Sequence, residues 1–195
     1  MQLSAEKIVN AGDLNKMNQG ESKTKVKVVE FEERFQKQIE ELVLPIQTLE
    51  FGVKITREEQ PDLMDIKGTF QRGNGNFWVV LRDVAEQEPE VAEHERVVGT
   101  IGVVDIGNKQ VALKKMFVHA DARGKASGVA QALMDTAKNW CSAKGIESII
   151  LGTTPGMVAA HRFYEKNGFV EQQMNELPPN FPIVHVDTKF YRCEL

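Results

Sequence analysis

The spacing of apolar and polar positions divides the chain into a run of strands and helices. KVKVVEF at 25–31 alternates as a strand does, and Phe35, Ile39, Leu42, Val43 and Ile46 then recur at helical spacing. Pro45 is expected to interrupt that helix, since proline lacks the N–H and crowds the carbonyl four residues back. Thr56 and Glu59 have the spacing of a capping box, and Pro61 follows soon after, so TREEQPDL should hold only short helical turns. GNGN at 73–76 marks a turn, and NFWVVLRD after it is dense in aromatic and β-branched residues. RVVGTIGVVDI and QVALKKMFV read as two more strands joined at Gly107-Asn108, which completes an antiparallel meander.

The period then changes. Val129, Ala132, Leu133, Thr136, Ala137 and Trp140 share one helical face, and Gly145 is a natural stop. ESIILGT is a short apolar strand, so a strand, a helix and a strand follow one another with the spacing of a βαβ crossover, which places its two strands parallel. A second helix is expected after Thr154, with Pro155 at its first position and Asn167-Gly168 at its end. GFVEQQ and VDTKFYRCEL supply closing strands. The fold class is therefore α/β (α+β): a mixed, mostly antiparallel sheet with helices on both faces. Its parallel pair lies near 111–119 and 147–153.

Residues 1–24 are polar with a weak apolar pattern and read as a mobile tail, leaving 25–195 as one domain. The acidic stretch 84–95, broken by Pro89, suits a solvated hairpin loop. The 195 residues, 42% hydrophobic and 27% charged, suffice for a single sizeable core. With 24 basic against 28 acidic residues the net charge is −4, and no basic run is long enough to follow a phosphate backbone, so nucleic acid is not an expected partner. Apolar stretches fall short of the roughly 20 residues of a membrane span, and the N-terminus lacks a signal-peptide pattern, so the expectation is a cytoplasmic protein with no membrane partner. Cys141 and Cys193 lack the spacing of a metal or redox pair, and the four histidines are scattered, so no metal is expected.

Chemistry concentrates in two stretches. HADARGKASGVAQAL leads from a strand through small residues straight into a helix, where unpaired first-turn amides and the helix dipole favour an anionic phosphate. Arg123 and Lys125 add charge beside that turn, and the P-loop pattern is missing, which argues against a nucleoside triphosphate. The second stretch is AAHRFYEKNGFVE at 159–171.

Together these stretches resemble the GNAT superfamily of acyl-CoA-dependent N-acyltransferases. FVHADARGKASG stands where that family has a V-x-P-like strand end followed by R-G-x-G-x-G, and the similarity runs well over about 95–172. IQTLEFGVKIT, QPDL, GNFWVV and VDTKFYR are also similar to one GNAT subgroup. The resemblance implies the GNAT fold and transfer of an acetyl group from acetyl-CoA to the primary amine of a small molecule or a peptide or protein N-terminus. It implies that Met116, Phe117 and Val118 pair with the pantetheine arm. The amides of Arg123, Gly124, Lys125, Ala126, Ser127 and Gly128 would hold the pyrophosphate, and Tyr164 would protonate the departing thiolate. A homodimer is the commonest assembly for such a domain.

Three positions depart from the family pattern. Ala126 replaces a usual glycine and would be penalised at any positive φ. Met157 replaces a common asparagine, which removes a polar contact. Ala112 stands where a glutamate often serves as the base, leaving Asp105, Glu50 or a water chain as substitutes and permitting an alternative role as a non-catalytic acetyl-CoA sensor or interaction module. Without a strong base the acceptor should be a low-pKa amine: freeing a lysine-like amine at pH 7 costs about 4.6 kcal/mol, against about 1.1 kcal/mol for an α-amine.

Overall fold

The computed structural model describes residues 26–83 and 95–195. The expected tail at 1–24 and the expected loop at 84–95 lie outside these residues, except Glu95, which opens a strand.

Seven strands form one sheet: β1 (Val26–Glu30), β2 (Asn76–Asp83), β3 (Glu95–Gly107), β4 (Gln110–Val118), β5 (Ser148–Thr153), β6 (Val170–Gln172) and β7 (Lys189–Glu194). Their order is β1-β2-β3-β4-β5-β7-β6. β1 to β4 are antiparallel, β4 and β5 are the parallel pair that the crossover spacing requires, and β7 returns antiparallel between β5 and β6. The connection between β4 and β5 is α4 (Val129–Ala143), which ends at Gly145 as expected, with φ 69° there.

Helices cover both faces. α4 and α5 (Val158–Lys166) pack over a core that includes Val98, Ile101, Leu133, Met134, Ile149 and Tyr191. The opposite face is covered by α1 (Gln36–Pro45), α2 (Pro61–Met64) and α3 (Ile66–Phe70), around Phe35, Ile39, Leu63, Phe70 and Phe77. Each of these large side chains, fully buried, contributes about 1.5–3 kcal/mol relative to exposure.

Three expectations about boundaries change. Pro45 is the last residue of α1, and the winding does not stop there but carries on as a π-helical turn through Ile46–Glu50. That wider turn is held by Phe51 N–H reaching back to Ile46 C=O at 3.1 Å and by Thr48 Oγ1 donating to Leu44 C=O at 2.8 Å. Pro61 begins a helical turn rather than stopping one, as its fixed φ and missing N–H suit the first position. Pro155 lies in a turn before α5, which starts at Val158. The Thr56/Glu59 pairing forms reciprocally, at 2.8 and 3.3 Å.

No helix among the described residues is long and apolar enough to cross a membrane. Cys141 and Cys193 are both buried free thiols, and burial pushes the Cys141 thiol up to about 12. Thiolate is the reactive form, so the sign favours inertness: at pH 8 the Cys141 thiolate fraction falls roughly 10³-fold below that of a free cysteine. A thiol-specific reagent at pH 8 should therefore leave Cys141 of the native protein unlabelled and label both cysteines once it is unfolded; rapid labelling of native Cys141, read by peptide mass, would contradict this burial.

Candidate active site

The site forms where two strands part. β4 pairs with β5 from Gln110↔Ser148 to Leu113↔Leu151, yet β4 runs on to Val118 and β5 to Thr153 without further pairing between them. The start of the divergence coincides with a bulge. Thr100 of β3 faces Phe117 and Gly102 faces Lys114, so β4 spends three steps where β3 spends two. Lys115 takes φ 53°, and its carbonyl accepts the Thr100 hydroxyl at 2.7 Å. A non-glycine residue held there stores strain of about 1–3 kcal/mol.

Beyond the bulge, the edge of β4 is open. His119 N–H donates to Val98 C=O at 2.8 Å, and the alternation of an antiparallel ladder then turns the peptide groups of Met116 and Val118 away from β3 and towards the parted side. Phe117 turns its own to β3. The Val118 carbonyl accepts Arg123 Nε at 2.7 Å, and β5 no longer pairs with β4 at Met116 or Val118.

Between Arg123 and α4, the chain has the shape of an anion cradle. Gly124 and Gly128 take φ 95° and 67°, and Gly128 is the N-cap of α4. Such values suit glycine, and they turn successive N–H groups to one side. Two of the six expected amides are spent within the loop: Arg123 N–H on Ala120 C=O at 3.2 Å and Ser127 N–H on Gly124 C=O at 3.3 Å. Those of Gly124, Lys125, Ala126 and Gly128 have no partner among the described residues, and the first-turn amides of α4 are unpaired by helix geometry. Ala126 is not at positive φ, so the backbone penalty expected for it does not arise. The Arg123 guanidinium does not lie free beside the cradle. It grips Glu50 with both terminal nitrogens, one of them at 2.8 Å. The Arg123 hydrogen bond holds the Glu50 carboxyl below its ordinary value.

A cavity of about 90 Å³ opens at the parting, lined by β4, β5, the segment after α1 and the segment before β7. Tyr164 of α5 lines it, 7% exposed and packed against Phe169 and Tyr191 at 5.8 and 6.1 Å. Its hydroxyl makes no hydrogen bond to a described residue. Burial, followed by the charge of Asp187, pushes the phenol well above its ordinary value. Met157, at the N-cap of α5, also lines the cavity.

The family pattern does not mark the charged groups found here. Asp187 sits just before β7, and burial raises its carboxyl against the opposing pull of Lys114 and Lys115. It lies against Gly152 of β5: a Cβ at that position would stand 2.6 Å from Asp187 Oδ2, so the missing side chain makes room for the carboxylate. Asp62 receives Lys114 Nζ at 2.9 Å and Lys115 Nζ at 3.2 Å. Burial would raise the Asp62 carboxyl, and the two ammonium groups outweigh it and hold it below its ordinary value. Lys115 Nζ also donates to Gln60 Oε1 at 2.7 Å, and burial depresses its ammonium.

The substitutes considered for Ala112 lie elsewhere. Ala112 is buried among Ile106, Ile150, Phe181 and Phe190. Asp105 accepts the N–H groups of Asn74 and Gly107 at 2.9 and 2.8 Å, which spends it on a turn, and Glu50 is held by Arg123. No group of three or more His, Cys, Asp or Glu among the described residues is placed to hold a metal.

This geometry has counterparts. A family model described as an acetyltransferase (GNAT) domain matches residues 73–171. A solved GNAT-family acetyltransferase from Staphylococcus aureus is 33% identical, with a TM-score of 0.78 over 87% of this chain and 99% of that one. A Thermoplasma acidophilum PaiA N-acetyltransferase solved with coenzyme A, 13% identical, shares the fold with a TM-score of 0.60 over 88% of this chain and 99% of that one. N-acetylaspartate synthetase of Xenopus tropicalis is 32% identical over 112 residues, 55% of this chain and 36% of that protein. The chain spans less than half the length of the curated relatives it matches. The parted strands, the cradle before α4 and the match over 73–171 describe one thing: the chain belongs to the GNAT acetyltransferase family.

Proposed function

We propose that residues 25–195 are an N-acetyltransferase domain that moves an acetyl group from acetyl-CoA directly to a primary amine. The observation that carries this reading is the continuity of the cleft: an open β4 edge leads from the glycine cradle to a cavity holding Tyr164 and Asp187. The relative from Thermoplasma acidophilum, solved with coenzyme A, supports the choice of co-substrate. Two buried free thiols suit a reducing compartment, and we assign the domain to the cytoplasm.

Bound acetyl-CoA supplies an acyl carbon activated by a thiol leaving group. The peptide groups of Met116 and Val118 hold its amide-bearing arm as a further strand would be held, and Phe117, bonded to β3, keeps that edge straight. The amides of Gly124, Lys125, Ala126 and Gly128, with the start of α4, hold the pyrophosphate; the Arg123 and Ser127 amides keep the cradle in shape. Asp187 takes a proton from the incoming amine. The nitrogen–carbon bond forms, the carbon–sulfur bond breaks with its electron pair going to sulfur, and Tyr164 gives that sulfur a proton. The Asp187 proton then restores the phenol. Burial suits both tasks, since it raises the basicity of the carboxylate and keeps the phenol protonated at neutral pH.

Tyr164→Phe should lower kcat by about 10²- to 10⁴-fold, or somewhat less, with acetyl-CoA affinity little changed. A kcat within twofold of the parent, in folded protein, would sink the assignment. For Asp187 the sign runs the same way in rate and charge. The base works only when ionised, so turnover is lost as pH falls through its raised value, whereas a carboxylate at its ordinary value would hold out to lower pH. Asp187→Asn should abolish that limb and lower kcat by about 10²- to 10⁴-fold; pH–rate profiles of the two proteins that superimpose would remove Asp187 from the reaction.

A further inference from the structure

We propose that the acceptor is a free amino acid, its carboxylate held by Lys114 and its amine directed to Asp187, rather than the N-terminus of a peptide. The inference rests on the acetyltransferase reading and adds the class of acceptor.

The first support is the bulge. Neighbouring residues of a regular strand point to opposite faces, yet Lys114 and Lys115 both reach Asp62, one ammonium on each carboxylate oxygen. The irregular turn of β4 at Lys115 thus puts two consecutive cations on one side of the strand, both lining the cavity. The second support is their division of labour. Lys115 is 7% exposed and divides its donors between Asp62 and Gln60. Gln60 in turn exchanges hydrogen bonds with Gln47 at 3.1 and 3.0 Å, so this ammonium belongs to a closed polar network. Lys114 is more open, at 17%; its one ion pair among the described residues is with Asp62, and its charge also acts on Asp187. An ammonium has three donors, so Lys114 has donors left for a ligand.

Charge bookkeeping gives the third support. The cavity wall carries two ammonium groups and the carboxylate of Asp187, and the Asp62 carboxylate stands behind the wall against both ammonium groups. Once Asp187 takes the amine proton, one positive charge is left without a counter-charge in a site of low dielectric, where such an imbalance is costly. A carboxylate on the acceptor supplies the missing charge at the moment of reaction. A peptide bond at the same place cannot. Val53, Ile55, Phe181, Pro182 and Val184 give the wall an apolar portion beside these charges, and the cavity's 90 Å³ suits a small molecule.

The test compares free amino acids with their carboxamides and with dipeptides of the same first residue, using acetyl-CoA and following thiol release. The free acids should have kcat/KM at least about tenfold above their carboxamides. Lys114→Met should collapse that preference by raising KM for the acids far more than for the carboxamides, while Lys114→Arg should keep the preference. Carboxamides or dipeptides acetylated as well as the acids by the unaltered protein would overturn the acceptor class and leave the acetyltransferase reading standing. Folded protein that acetylates none of these amines would overturn the acceptor class, and failure to bind CoA in a thermal-shift measurement would overturn the acetyltransferase reading as well.

Discussion

The site depends on a backbone irregularity fixed by one hydrogen bond. The Thr100 hydroxyl reaches the carbonyl of Lys115 across the β3–β4 ladder, and an extra residue on β4 is accommodated there at positive φ. With the bulge in place, β4 turns out of register with β5. The sheet opens without losing its interior, since β4 stays paired to β3 up to Val118. The same irregularity brings Lys114 and Lys115 to one carboxylate. Cleft and charge pattern therefore share one origin, at a stored strain that the flanking strands, buried on both faces, can hold.

The cradle and the acceptor side are also joined mechanically. Arg123, at the start of the glycine turn, bonds to Val118 at the end of β4 and to Glu50 in the π-helical turn. Gln47 and Val53, on either side of Glu50, line the cavity. One guanidinium therefore ties the glycine loop, the open strand edge and the wall of the cavity together. Charges of this kind on a partly exposed pair add little to stability, so positioning is the better account of why the pair is there.

Much of the fold was legible because it follows from local period. The meander, the crossover and the closing strands rest on alternation, helical spacing and turn residues, all of which act over a few positions. Tyr164 and the turn at 123–128 were legible for a related reason, since they lie in contiguous stretches similar to a family pattern. The acidic and basic groups of the cavity were not. Asp62 and Asp187 stand 125 positions apart and are linked only through the charges of Lys114 and Lys115 between them, and nothing in VALKKM announces that alternation fails at its second lysine. The signals available were weak ones: two adjacent lysines in an otherwise apolar strand, and an aspartate just ahead of the last one. Pro45 misled because the winding can continue past a proline as a wider turn, and the spacing of apolar residues does not reveal hydrogen-bond width.

The position of β7 has a consequence for how the molecule comes to exist. Among the described strands it is the last in chain order, yet in space it lies between β5 and β6, and β6 has no other neighbour among them. During synthesis the first five strands can assemble as they emerge, whereas β6 must wait beside an unfilled edge of β5 until β7 arrives. Asp187 arrives with it, two residues ahead of the strand. Ribosomal assembly thus reverses the order in which the halves of the proposed site would be used: the glycine cradle is present early, and the carboxylate proposed as proton acceptor is installed by the step that closes the sheet.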